Sequence, residues 1–219
     1  MQLEKEGSSC DEIRVIGINK IFRTGLCKPR LVHALKDIYL EIPNGELLAL
    51  LGHNGAGKST LINILTGILG WNSGTARVNG MTLENNLSEI QHLIGLVPQF
   101  DILWGELTAG EHLKLFAQLR GIPNEEIPRL VSQKLAEVNL EKQENSLVRM
   151  FSGGMKRRLS IAIGTIGNPK IIIMDEPTTG MDPVNKNSVW HLIKVLINNI
   201  IESKTQKDLY PHHTPNGGS

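Results

Sequence analysis

The sequence predicts an α/β domain, and three observations carry that prediction. An apolar run at residues 47–51 ends in a glycine-rich loop and is followed by apolar residues at helical spacing. A second apolar run, at residues 171–174, ends in two acids. The stretch between them is patterned mostly as helix. Alternation of this kind belongs to folds in which helices cover a sheet. The 219 residues suffice for one domain with a substantial core and a small subdomain.

Composition narrows the class. Apolar residues make up 40% and charged residues 21%, as in an ordinary soluble domain. The net charge of +1 argues against a nucleic-acid partner held by bulk electrostatics. Cys10 and Cys27 read as two free thiols rather than a disulfide. No apolar run approaches the roughly 20 residues that cross a bilayer. Residues 1–12 are a polar, acidic leader and do not read as a signal peptide.

The elements follow in order. Residues 14–18 and 38–42 alternate apolar and polar like half-buried strands. Residues 47–51 read as a buried strand. Residues 59–69 carry Leu61, Ile64, Leu65 and Ile68 at helical spacing, and Gly74 and Gly80 bracket a short strand at 75–78. A helical subdomain is expected over about 108–165. Within it, Leu115 and Leu119 lie four apart in a helix over 111–120. Asn124 opens a helix that places Ile127, Val131, Leu135 and Val138 on one face. Residues 152–166 read as another helix, 171–174 as a strand buried on both faces, and 185–200 as a further helix. Residues 201–219 are polar and carry Pro211 and Pro215, the pattern of a disordered tail.

Gly52-His53-Asn54-Gly55-Ala56-Gly57-Lys58-Ser59, with Thr60 next, fits the phosphate-loop pattern at every required position. Glycines let the backbone wrap phosphate oxygens, and the following helix N-terminus adds positive potential. Lys58 reaches the β- and γ-phosphates of a bound nucleotide, and Ser59 is placed to coordinate Mg²⁺. Asp175 and Glu176 end the second apolar run at the sheet edge where α/β proteins place ligands. Asp175 would serve the metal, and Glu176 would orient and deprotonate water. Phe151-Ser152-Gly153-Gly154-Met155-Lys156 opens a helix with a hydroxyl and two glycine amides, an anion nest.

Together these segments resemble the ATP-binding cassette of ABC transporters. The resemblance covers about residues 13–200, the nucleotide-binding domain. It departs from the usual signature by Phe151 and Met155, where Leu and Gln are common. It implies a P-loop core sheet, an N-terminal antiparallel β region and an α-helical subdomain. It further implies that Gln99 is the glutamine that senses γ-phosphate and metal, that Phe22 stacks on adenine, and that Asp182 crosses a dimer interface. The implied partners are a second cassette, paired head to tail, and transmembrane domains. That puts the cassette at the cytoplasmic face of a membrane. The runs at 98–104 and 177–183 resemble the A subfamily, eukaryotic proteins that largely move lipid.

One departure is larger. The family's switch histidine is expected near Lys207, after a further apolar strand, yet residues 203–208 contain no apolar residue. His212 and His213 read as surface histidines in the tail. The C-terminal part of the fold therefore reads as missing. Three functions remain open: a transporter ATPase, a hydrolysis-impaired nucleotide-binding fragment, and a soluble ABC ATPase. The last usually shows paired cassettes or strongly basic segments, and neither is present.

Overall fold

The computed structural model describes residues 11–25, 30–43, 46, 48–50, 52–183 and 185–196. Two sheets and six helices of at least seven residues organise them. Strands β1 (Asp11–Thr24), β2 (Arg30–Pro43), β3 (Ser73–Val78) and β4 (Met81–Thr82) form an antiparallel sheet in the order β2-β1-β3-β4. Strands β5 (Ile94–Val97) and β6 (Ile171–Met174) pair in parallel. The fold is α/β, as the pattern predicted, and the N-terminal β region is antiparallel.

Helix α1 (Lys58–Leu65) buries Leu61, Ile64 and Leu65 against the antiparallel sheet. Helix α2 (Leu87–Leu93) leads directly into β5. The helical subdomain holds α3 (Ala109–Leu119), α4 (Ile127–Glu137) and α5 (Gly153–Gly164), with two short 3₁₀ turns between α4 and α5. Residues 185–196 form α6. An isolated bridge between Thr108 and Leu147 closes the insert at its base.

The sequence explains the helix starts. Thr108 accepts from Glu111 N, and Glu111 accepts from Thr108 N, a complete capping box for α3. The Thr108 backbone bond, helped by the Thr108 side chain, holds the Glu111 carboxyl below its ordinary range. A depressed carboxyl pKa means this cap contributes at neutral pH and is lost as pH falls through the lowered value. Ser152 caps α5 by accepting from Met155 N.

The core has two parts. One lies between α1 and the antiparallel sheet, with Ile18, Ile64 and Val78 fully buried. The other fills the helical subdomain around Leu113, Leu135, Leu140 and Leu159. Strands β5 and β6 form the seam. Ile94 and Ile171 belong to the first part, whereas Val97 and Met174 pack in the second. Gly95 and Gly164 let α5 approach β5 closely. A Cβ on Gly95 would fall on the Gly164 carbonyl oxygen, and one on Gly164 would lie 2.5 Å from Val97 Cγ2.

Several elements differ from the sequence pattern. Residues 48–50 belong to no strand, and Leu48 and Leu50 are exposed. A leucine run becomes a buried strand only when strands flank it, and among the described residues none pairs with this one. Likewise β6 is not buried on both faces; among the described residues β5 is its one partner, and Ile172 to Met174 are half-buried. Helix α1 stops at Leu65, because Thr66 bonds back to Ile62 and Gly67 turns left-handed, which leaves Ile68 exposed. Helix α3 buries Ala109, His112, Leu113 and Ala117, and Leu119 faces solvent. Ala109, Leu113 and Ala117, not the Leu115–Leu119 pair, face the core there. Helix α4 starts at Ile127 with Pro128 in its first turn rather than at Asn124, but Ile127, Val131, Leu135 and Val138 are all buried as expected. Strand β1 begins at Asp11, inside the expected leader. Cys10, Cys27 and residues 197–219 lie outside the described residues.

The seam yields a stability prediction. Gly95→Ala should destabilise the domain by about 1–3 kcal/mol, since α5 must shift away from β5. Gly70→Ala, which adds a Cβ with nothing within 4 Å, should change stability by no more than about 0.5 kcal/mol. Thermal unfolding of the two variants checks this. Equal melting temperatures would contradict the close packing.

Candidate functional site

The phosphate loop runs from Gly52 to the first turn of α1. Gly57 is its N-cap, with φ of 91°. A Cβ there would lie 2.6 Å from the Ala34 carbonyl oxygen and 2.7 Å from Leu35 Cδ2, so strand β2 supports the loop from below. Only glycine fits both the conformation and the contact. Ser59 and Thr60 follow on α1, with Ser59 exposed and Thr60 half-buried. His53, Asn54, Gly55 and Ala56 form the exposed crest, and His53 Nδ1 lies 2.8 Å from the Asn54 carbonyl.

Lys58 curls back over this crest. Its ammonium donates to the carbonyls of Gly52 at 2.8 Å and His53 at 3.2 Å, and lies 3.7 Å from Glu176 Oε1. The other Glu176 oxygen accepts from Gln99 Nε2 at 3.1 Å and from Thr179 Oγ1 at 2.9 Å. Lys58 and Gln99, drawn from distant parts of the sequence, thus meet the nearby Thr179 at one carboxylate. The strands bring them there. Asp175 N donates to Val97 O at 3.0 Å, extending the β5–β6 ladder to the point where Gln99 and Glu176 leave it.

Glu176 sits at φ +45°, in the left-handed region, and precedes Pro177. Both features are unfavourable for a glutamate. Such a residue keeps its place only when its surroundings hold it, and functional sites are where this strain collects. Gln99, Thr179 and Lys58 supply the hold.

A second group surrounds the N-terminus of α5. Ser152 and Gly153 are exposed there, while Gly154 is buried. A Cβ on Gly154 would lie 2.5 Å from Asn185 Oδ1. Asn185 in turn donates its backbone N–H to Asp182 Oδ1 at 3.1 Å and its side-chain amide to Asp182 Oδ2 at 2.6 Å. Asp182 therefore caps α6 and links it to the glycines of α5. Phe22 lies in β1, opposite Val32 and half-buried, with Lys20 Nζ 5.1 Å from its ring centroid. Lys207, His212 and His213 lie outside the described residues.

The donor set near the loop suits a hard divalent cation. It offers a hydroxyl (Ser59), a half-buried carboxylate (Asp175) and a carboxamide (Gln99). Gln99 turns its Nε2 to Glu176, so its Oε1 is the atom able to ligate. No group of three or more His, Cys, Asp or Glu side chains forms a metal cluster among the described residues. The arrangement needs none, since Mg²⁺ is commonly held through one or two carboxylates, with phosphate, water and neutral oxygens completing its shell.

A family model for ABC transporters matches residues 35–179. The chain belongs to the ABC transporter family. Proteins of the A subfamily match most of the chain. ABC transporter A family member 8 of Dictyostelium discoideum is 48% identical over 194 residues, which is 89% of this chain and 23% of that protein. The human phospholipid-transporting ATPase ABCA3 is 41% identical over 182 residues, 83% of this chain and 10% of that protein. The chain thus spans less than a quarter of these relatives. Among solved structures, the dimeric ATP-binding cassette MJ0796 in a post-hydrolysis state, bound to ADP and Pi, aligns with a TM-score of 0.75 at 27% identity, covering 85% of this chain and 83% of that one. No helix among the described residues is long and apolar enough to cross a membrane.

Sequence reasoning missed three contributors. Thr179 lay within a quoted motif but received no role, although a hydroxyl three residues after an acid is a recurrent turn partner. Asn185 was read only as the start of a helix. Arg157 stands in the basic run Lys156-Arg157-Arg158, where charge does not tell the members apart, yet it is buried.

The geometry predicts the behaviour of Glu176→Gln. The amide preserves size and hydrogen bonding to Thr179 but cannot take a proton. Mg·ATP binding should be nearly unchanged, while turnover falls by on the order of 10²–10⁴. Phosphate-release kinetics check this, and unchanged turnover would move the base role elsewhere.

Proposed function

We propose that this chain binds Mg·ATP and hydrolyses it as the cassette of an A-subfamily ABC transporter, powering movement of a lipid across a membrane. The observation that carries the reading is the convergence of Lys58 and Gln99 on Glu176. Point charge, polar sensor and carboxylate stand together where the phosphate loop meets the ends of β5 and β6.

In this reading the β- and γ-phosphates replace the loop carbonyls as acceptors for Lys58. Mg²⁺ held by Ser59, Asp175 and Gln99 would neutralise phosphate charge. Glu176 takes the proton of the attacking water as its oxygen bonds to the γ-phosphorus and the bond to ADP breaks. Phe22 stacks on the adenine, with Lys20 adding charge above the ring. Ser152, Gly153 and Gly154 serve the γ-phosphate bound by a second cassette, and Asp182 faces that cassette across the interface. The cassette works at the cytoplasmic face.

Transmembrane domains are the further partner. Phe100 and Ile102, which follow Gln99 in the chain, are exposed, as is Leu119. A groove of 480 Å³, lined by Ile68, Ile102, Phe116, Leu119 and Pro98 among others, separates the core from the helical subdomain. An apolar segment of a membrane domain suits it. Lipid as the transported class follows from similarity to the phospholipid-transporting relative.

A second reading is nucleotide binding with impaired turnover. One observation favours it: residues 48–50, which lead into the phosphate loop, belong to no strand. Comparing binding with turnover separates the two readings.

Lys58→Ala tests the proposal. Removing the ammonium leaves the phosphates desolvated and unpaired, so affinity for a fluorescent ATP analogue should collapse. Equal affinity in the wild type and the variant would overturn the assignment.

A further inference from the structure

Arg157 lies on α5, five residues after Ser152, and is only 4% exposed. Its bonds go to loops, not to its own helix. Nε donates to the Pro177 carbonyl at 2.7 Å. Nη1 donates to the Pro98 carbonyl at 2.6 Å and to Asp101 Oδ1 at 3.1 Å. Pro98 immediately precedes Gln99, and Pro177 immediately follows Glu176. One planar guanidinium therefore grips the backbone on both sides of the Gln99–Glu176 hydrogen bond. Nη2 is buried without a partner among the described residues.

We propose that Arg157 is a positioning residue: it holds Gln99 and Glu176 at their working separation and ties that pair to the N-terminus of α5. Two physical facts make the role specific. Glu176 sits in the left-handed region before a proline, a strained conformation, and Arg157 anchors the carbonyl that follows it, adding a backbone hold to the side-chain contacts of Gln99, Thr179 and Lys58. The Gln99 segment leaves β5 through Pro98, which lacks an N–H, so the Pro98 carbonyl bond to Arg157 fixes its exit direction. Ser152 caps the same rigid helix. A shift of α5 therefore moves the carbonyls beside Gln99 and Glu176. In the proposed dimer this couples the nucleotide held by the chain itself to the one its Ser152 serves.

The inference rests on the proposed ATPase role of the pair, and the test separates the two. Arg157→Lys and Arg157→Met are made in the full chain, each alone and combined with Gln99→Ala. The lysine variant keeps the charge but cannot span both carbonyls. Turnover at saturating Mg·ATP should fall on the order of 10²-fold in either single variant, with ATP affinity and stoichiometry unchanged. On the Gln99→Ala background the same substitutions should add little, because both act through one pair. Hydrogen exchange should rise in segments 97–101 and 175–179 and stay constant in the antiparallel sheet. Proportional loss of binding sites and turnover, with exchange raised throughout, would make Arg157 an ordinary core residue and overturn the proposal. So would losses that add fully to Gln99→Ala. If the wild type binds no ATP while both loops still loosen in the variants, the ATPase reading fails and the clamp stands.

Discussion

The parallel register of β5 on β6 is the constraint from which the site follows. Val97 pairs with Met174, and Asp175 N continues the ladder to Val97 O. Only in this register does Gln99 leave its strand beside Glu176. A slip of one residue would displace one segment by about 3.3 Å and turn its side chains to the opposite face. The hydrogen bond between Gln99 and Glu176 could not survive that. The register is defended from both ends. Ile94 and Ile171 pack into the β-rich core and Val97 and Met174 into the helical one, so neither strand can slide without exposing apolar surface.

Helix α5 builds on the same seam. The Gly95–Gly164 contact brings it close enough for a side chain on its buried face to reach the loops that leave β5 and β6. Its N-terminus meanwhile projects Ser152 to the surface beside the Asp182–Asn185 cap of α6. The phosphate loop is anchored independently, by Gly57 pressed on β2 and by Lys58 folded over its own carbonyls. The contact between Lys58 and Glu176 joins these two supports. The pair is long, at 3.7 Å, and both side chains keep some exposure, at 15% and 29%, which leaves Lys58 able to exchange Glu176 for a phosphate.

What could be read from the sequence divides along physical lines. The phosphate loop, the acidic strand end and the Ser-Gly-Gly cap were legible because ligand geometry dictates residue type at fixed local spacing. The α4 face was legible because Ile127, Val131, Leu135 and Val138 follow one helical period. Strand β5 was not, since four residues with Gly95 among them carry little periodicity and its pairing with β6 is non-local. The buried face of α3 was misread because it runs through Ala109, Leu113 and Ala117, and two small alanines give a helical period little apolar signal. Residues 47–51 look like a strand in isolation, but burial depends on neighbours that a local pattern does not contain. Arg157 stood in a run of three basic residues, and charge alone does not reveal which member points inward.

The account makes one chain the bearer of two half-sites that face different nucleotides. Lys58, Gln99 and Glu176 would serve one, and the N-terminus of α5 the other. The direct measurement is Ser152→Arg, followed by light scattering with and without Mg·ATP on the Glu176→Gln background. The account predicts that each monomer still binds ATP with unchanged affinity while ATP-driven dimerisation disappears. Collapse of binding in the monomer would place Ser152 in its own chain's site and contradict the two-half arrangement.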